Sequence, residues 1–231
     1  HSFSAKNNLT GRYFFGDSTQ QFPLALNATG GQLPGFDTVT PTRVQLVSLS
    51  EVFVVSPTKV NELRYGWNRF AEGFFPQDRN LDPSTIGLCN VPASFGTCHS
   101  SGLPIILLSP TPTGASGFFS QLGATSGDPR QRVDTNTQLL DSFSWKINSH
   151  DLRFGGEFHR TSVHQRFDKY SRGRIRFNTL EDLLQMTPQT RPLGLFNYTG
   201  NTSRHTFQNG FGFYAQDSYR LNSRVTVNYG L

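Results

Sequence analysis

The side chains best suited to chemistry lie in a few places. His159 and His164 are five positions apart with Glu157 and Asp168 nearby, a set of atoms able to bind a metal. In a strand, positions that differ by an odd number point to opposite faces, so this reading yields to one of polar wall side chains. Cys89 and Cys98 sit nine positions apart in a polar, turn-rich segment that lacks the paired CxxC spacing of a zinc site, with only His99 beside them. A local disulfide fits better and implies an oxidising compartment, while two free thiols remain the alternative. Arg172, Arg174 and Arg176 would project to one side of a strand as a basic rim, solvated or facing lipid headgroups. Asp128, Asp134 and Asp141 do not converge by any visible rule. Without a GxSxG, HExxH or phosphate-loop element, no enzymatic activity and no cofactor is expected. The sequons at Asn8, Asn27, Asn197 and Asn201 are close to chance in an Asn- and Thr-rich chain.

The elements that would carry these groups are strands. The chain has 231 residues, 35% hydrophobic, with 21 Phe and 22 Gly. Its mean hydropathy of −0.43 excludes a helical membrane protein, since the longest aliphatic run is Ile105 to Leu108 and a spanning helix needs about 18 residues. The net charge of +5 is mild, and no nucleic-acid signature accompanies it. Neither a leader nor a start Met precedes His1, which predicts a cut N-terminus.

Alternation with period two recurs along the chain. From Phe3 to Phe15 it predicts one strand; from about Arg43 through the turn at Ser56, Pro57 and Thr58 to Phe70 it predicts a hairpin, with Glu51 interrupting the apolar set. Leu139 to Arg160, turning at Asn148 to His150, and Phe207 to Leu231, turning at Asn222 and Ser223, predict two more. Within each strand one parity is apolar, and these positions, Leu63, Tyr65, Trp67, Phe143, Trp145, Phe154, Phe158, Phe211, Phe213, Tyr219, Val225, Val227 and Tyr229, are predicted to face lipid. The other holds Glu62, Arg64, Asn68, Arg153, Glu157, His159, Gln208 and Gln216, predicted to face a lumen and whatever solute passes it.

Long connections of about Asp17 to Pro41, Pro76 to Arg132 and Asn178 to Ser203 alternate with the short turns. Thr179 could cap a short helix over LEDLLQM, tucked against a rim. Short turns on one side, long loops on the other and two-faced strands of at least 9 to 11 residues are the pattern of an outer-membrane barrel. The fold class expected is all-β: an antiparallel, up-and-down transmembrane β-barrel segment of about seven strands, incomplete as a barrel. A secreted or surface β-sandwich that binds carbohydrate, and a passive porin or adhesin barrel, are the alternatives.

Several segments also resemble a family. GFYAQDSYRLNSRVTVNYGL resembles the FYxQDxW hairpin of Oar-like TonB-dependent outer-membrane receptors, with Tyr219 where Trp is usual. VVSPTKVNELRYGWNRF resembles that family's SPTLVNEFRFGYNR, HDLRFGGEFHR its HxLKFGG strand, and RGRIRF its RGxFxF return. The resemblance implies a piece of the wall of a barrel of about 22 strands, placed in the bacterial outer membrane against lipid. It further implies a plug and a segment gripped by a TonB-type energy-coupling protein, neither recognisable in residues 1–231, and an imported solute that the motifs do not identify.

Overall fold

The computed structural model describes residues 1–22, 33–87, 102–109, 120–189, 195–196 and 200–231. Its main feature is one antiparallel eight-stranded sheet. In chain order the strands are β1 (Ser2–Ser4), β2 (Asn7–Phe22), β3 (Thr38–Ser56), β4 (Lys59–Pro76), β5 (Ile105–Leu108), β6 (Arg130–Ile147), β7 (His150–Phe167), β8 (Arg174–Phe177), β9 (Leu195–Phe196), β10 (Ser203–Arg220) and β11 (Thr226–Gly230). The large sheet runs β1-β2-β3-β4-β6-β7-β10-β11, each strand beside its neighbour in the meander, and the sheet is not closed.

Local chemistry sets the short turns. Asn148 takes φ 49, the left-handed region that Asn tolerates, and this lets β6 reverse into β7. Between β10 and β11 the Asn222 Oδ1 accepts from the Arg224 and Val225 N–H groups, both at 2.9 Å, replacing backbone bonds that the turn forgoes. Each turn is also bonded to the neighbouring strand, with Lys146 N donating to Thr58 O and Arg220 N to Ser149 O, both at 2.8 Å. The turns therefore stack along one end of the sheet, and the long connections rise from the other.

Two expectations about strand extent change. The N-terminal segment is not one strand: Ser4 Oγ accepts from the Lys6 N–H at 3.1 Å, the chain reverses, and Ser2 pairs with Asn8. Alternation continued across that turn by coincidence of parity. The strands also climb further than the apolar alternation, with 16 residues in β2 and 18 in each of β4, β6, β7 and β10. At about 3.3 Å per residue and a tilt near 45°, such a strand rises roughly 40 Å, well beyond an apolar band of about 25 Å. Above that band both faces are polar, as with Asp17 against Arg43 at 2.6 Å, so no alternation marks the strand in the sequence.

A small second sheet, β5-β8-β9, forms within the long connections; β5 runs parallel to β8, and β9 antiparallel. Here lies the buried apolar core: Leu103, Ile105, Leu108, Ala124 and Phe177. The capping box at Thr179 forms as the sequence predicts, with Asp182 N and Thr179 Oγ1 at 3.1 Å and Thr179 N and Asp182 Oδ2 at 3.1 Å, and it starts α1 (Leu180–Leu184). The helix is not tucked against a rim, however; Leu180 and Leu184 are exposed, because this single turn is too short to bring an apolar stripe back onto the sheet. The two-layer sandwich alternative does not hold either. The described residues place one long-stranded sheet with apolar side chains left outside, rather than two sheets burying a shared core.

Candidate functional site

The register of the large sheet sorts the side chains. Paired residues share a face, so each row across the strands can be read in turn. Asn68 pairs with Asn136, Asn136 with Thr161 and Thr161 with Gln208; Arg64 pairs with Leu140, then Glu157, then Gly212. Arg153 lies opposite Gln216, His159 opposite Gly210, and Glu62 opposite Ser142. All eight polar residues singled out in the sequence therefore stand on one face.

That face is cross-linked. Asn136 Nδ2 donates to Asn68 Oδ1 at 2.9 Å, and Thr161 Oγ1 donates to Asn136 Oδ1 at 2.7 Å, so three strands are joined by side chains as well as by backbone. Arg64 bridges Glu62 at 2.6 Å, and His159 Nδ1 lies 3.5 Å from Glu157. The Ser142 and Tyr214 hydroxyls are 2.6 Å apart. Such a surface can hold water and polar solute groups.

On the opposite face, Tyr65 pairs with Leu139, Leu139 with Phe158 and Phe158 with Phe211; Phe143 pairs with Phe154 and Tyr219 with Val227. The rings meet across strands, with centroids 5.2 Å apart for Phe143 and Phe154 and 5.1 Å for Phe158 and Phe211. Leu63, Trp67, Trp145, Phe213 and Tyr229 fall on the same face by register. Val225 sits outside β11 at the closure of the turn, where Leu221 N donates to Val225 O. Phe213 is 81% exposed and Phe211 70%, an apolar surface that the chain itself leaves uncovered.

Three carboxylates interrupt this apolar face, and each has a partner. Asn7 Nδ2 donates to Glu51 Oε1 at 2.8 Å, and Asn61 Nδ2 donates to Asp141 Oδ1 at 2.8 Å. Asp217 Oδ2 accepts from the Tyr229 hydroxyl at 2.6 Å and lies 2.6 Å from His150 Nδ1, while the His150 ring stacks on Tyr219 at 4.4 Å. Together with Lys59 over the Trp145 ring at 4.7 Å, this makes an aromatic and charged rim at the short-turn end. Asp217 escaped the sequence reading because its partners come from two other strands; Tyr219 and Tyr229, predicted to face lipid, were the available signal.

The remaining predicted groups do not converge. His159 and His164 are on opposite faces, as their odd spacing requires, and His164 pairs with His205 instead. Asp134 bonds Arg132 at 2.8 Å, and Asp128 accepts from Thr38 Oγ1 at 2.6 Å. Cys89, Cys98, Asn27 and Asn197 lie outside the described residues.

The arginine rim needs correction. Arg172, Arg174 and Arg176 are buried, at 2%, 7% and 1% exposed, and β8, which carries the last two, is the middle strand of the small sheet rather than an open edge. Arg172 reaches Asp78 at 3.3 Å, the Thr125 carbonyl at 3.0 Å and the Leu103 carbonyl at 3.5 Å. Asp78 in turn accepts from the Leu103 N–H at 2.8 Å. Beside it Gly102, at φ 90, comes so close that a Cβ would meet the carboxylate at 2.7 Å. Burial pushes the Asp78 carboxyl above its ordinary value, although Arg172 and the Leu103 N–H oppose the shift. It does the same to Asp128 against the pull of Thr38, Arg172 and Arg130.

Comparison with known proteins completes this picture. A family model described as outer membrane beta barrel domain matches residues 1–231. Among solved structures the outer membrane transporter YddB from Escherichia coli superposes with a TM-score of 0.58 over 99% of this chain at 9% identity, a likeness of fold alone. The chain spans 25% of that structure's length. No curated protein matches.

Proposed function

From its membership of the outer membrane β-barrel domain family, which places the chain in the bacterial outer membrane in contact with lipid, we propose that it forms part of the wall of an Oar-like TonB-dependent receptor. On this reading the receptor takes up a large or scarce solute with energy supplied from the inner membrane. The observation that carries the proposal is the register: across β4, β6, β7 and β10 it collects the apolar residues on one face and Glu62, Arg64, Asn68, Arg153, Glu157, His159, Gln208 and Gln216 on the other. Hydrocarbon suits the first face and a water-filled lumen the second. The hairpin motifs and the likeness of fold to a transporter add support for the receptor type.

In mechanism, the long connections meet the solute outside the cell, and the polar face presents donors and acceptors along its descent. Asp217, His150 and Tyr229 tie three strands at the short-turn end, the level at which an energy-coupling partner would pull. The test is uptake by cells that produce the intact protein, before and after collapse of the inner-membrane proton gradient. Binding should persist while uptake stops. Uptake that continues unchanged would make the barrel a passive pore.

A further inference from the structure

We infer that Arg176 is the centre of an anion-binding site in the loop layer, one that takes a carboxylate or phosphate group. Arg176 is 1% exposed, and its Nε and Nη1 atoms are both buried with no hydrogen-bond partner. Other arginines of the long connections and of the adjoining strand end are served differently. Arg172 has Asp78 and two carbonyls, and Arg166 has Asp168 at 2.6 Å. No described carboxylate makes an ion pair with Arg176. The segments outside the description cannot provide one, because residues 23–32, 88–101, 110–119, 190–194 and 197–199 contain no Asp or Glu.

A guanidinium stays charged at any physiological pH, so the charge cannot be relieved by losing a proton. Buried without a counter-charge it is strongly unfavourable, and the remedy is an anion held against the guanidinium. In the planar guanidinium Nη2 pairs with either Nε or Nη1 as a two-pronged fork, and each fork fits a carboxylate or phosphate. Arg174, two positions earlier on the same side of β8, adds its positive field at Arg176, which favours an anion over a neutral polar group. The site lies among the long connections, where the uptake reading brings solute to the barrel. It rests on that reading only for assigning the anion to the solute rather than to a lipid phosphate of the surrounding leaflet.

Calorimetric titration of the intact protein in detergent tests the site, with citrate and inorganic phosphate as free anions and lipopolysaccharide in mixed micelles as the lipid source. At least one should bind, Arg176→Gln should weaken it tenfold or more, and Arg176→Lys should weaken it less. Binding of a free anion assigns the site to solute; binding of the lipid alone assigns it to a headgroup. No binding of any of the three, or binding unchanged in Arg176→Gln, overturns the proposal. Arg176→Met guards against misfolding, since the saturating anion should raise the thermal midpoint of the wild type and leave that of the Met variant unmoved. An equal rise in both would also overturn it. Anion binding does not depend on the proton gradient, so a passive pore that binds citrate would refute the uptake reading and leave the site standing.

Discussion

Along the wall, Tyr13, Phe211 and Phe213 are 61%, 70% and 81% exposed; in the loop layer, Ile105 and Phe177 are each 3% exposed, and the side chains of the Arg172–Asp78 pair are 2% and 6% exposed. The two regions treat the same residue types in opposite ways. The wall leaves its aromatics uncovered, as suits hydrocarbon surroundings, and holds itself by backbone ladders and cross-strand pairs. The loop layer stands in water, so it buries its few apolar residues and must satisfy the polar groups that are trapped with them. Charge placement is therefore dangerous on the outer face of the wall, and charge removal is dangerous in the loop layer.

Arg172→Ala should give the largest effect, because it strands the Asp78 carboxylate in a buried site and breaks the link to Thr125 and Leu103. A loss of about 3–5 kcal/mol is expected, confined to the loop layer. Hydrogen exchange of residues 102–109 and 172–177 should speed up while β6 and β7 stay protected. Uniform exposure of both regions would show that wall and loops form one cooperative unit and dissolve the contrast.

Next in size, Phe213→Arg puts a charge on the lipid face and should cost about 2–4 kcal/mol in denaturant titrations of the barrel in lipid. Gly212→Ser, one residue away on the other face, should cost far less. Equal costs would contradict the assignment of the faces. A smaller effect, about 1 kcal/mol, is expected from Thr179→Ala, which removes the cap of α1; local proteolysis near Leu184 should rise without change in the wall.

The smallest prediction concerns pH. Asp78 and Asp128 titrate above their ordinary carboxylate value in the folded loop layer, so the folded state binds protons more readily than the unfolded one. By linkage the loop layer gains stability from these groups as pH falls through their raised folded values toward the ordinary one near about 4, and loses it as pH rises back. Carboxyl-carbon shifts of Asp78 and Asp128 followed by NMR should show midpoints above about 4; midpoints below would reverse the sign.

Legibility in the sequence follows the same division. The wall strands were readable because one solvent faces each side, and a period of two then records burial directly; the hairpins at Asn148 and Asn222 and the two parity sets all lie where alternation puts them. Where both faces meet water, as from Asp17 to Phe22, the signal vanished and the strand was read as loop. The turn at Lys6 was lost because parity survived it. The arginines of β8 were read as a solvated edge, since nothing in RGRIRF says that a strand from residues 105–108 and another from 195–196 will flank it.

From its sequence alone this chain determined its long strands, its short turns and the face on which each wall residue stands, because those depend on neighbours one or two residues away. Tertiary structure alone decided the burial of Arg172 and Arg176, the joining of Asp217 to His150 and Tyr229, and the small core inside the loops. Those contacts join residues from separate strands and connections, and whether a charge is paired or stranded is settled only when the distant partner arrives.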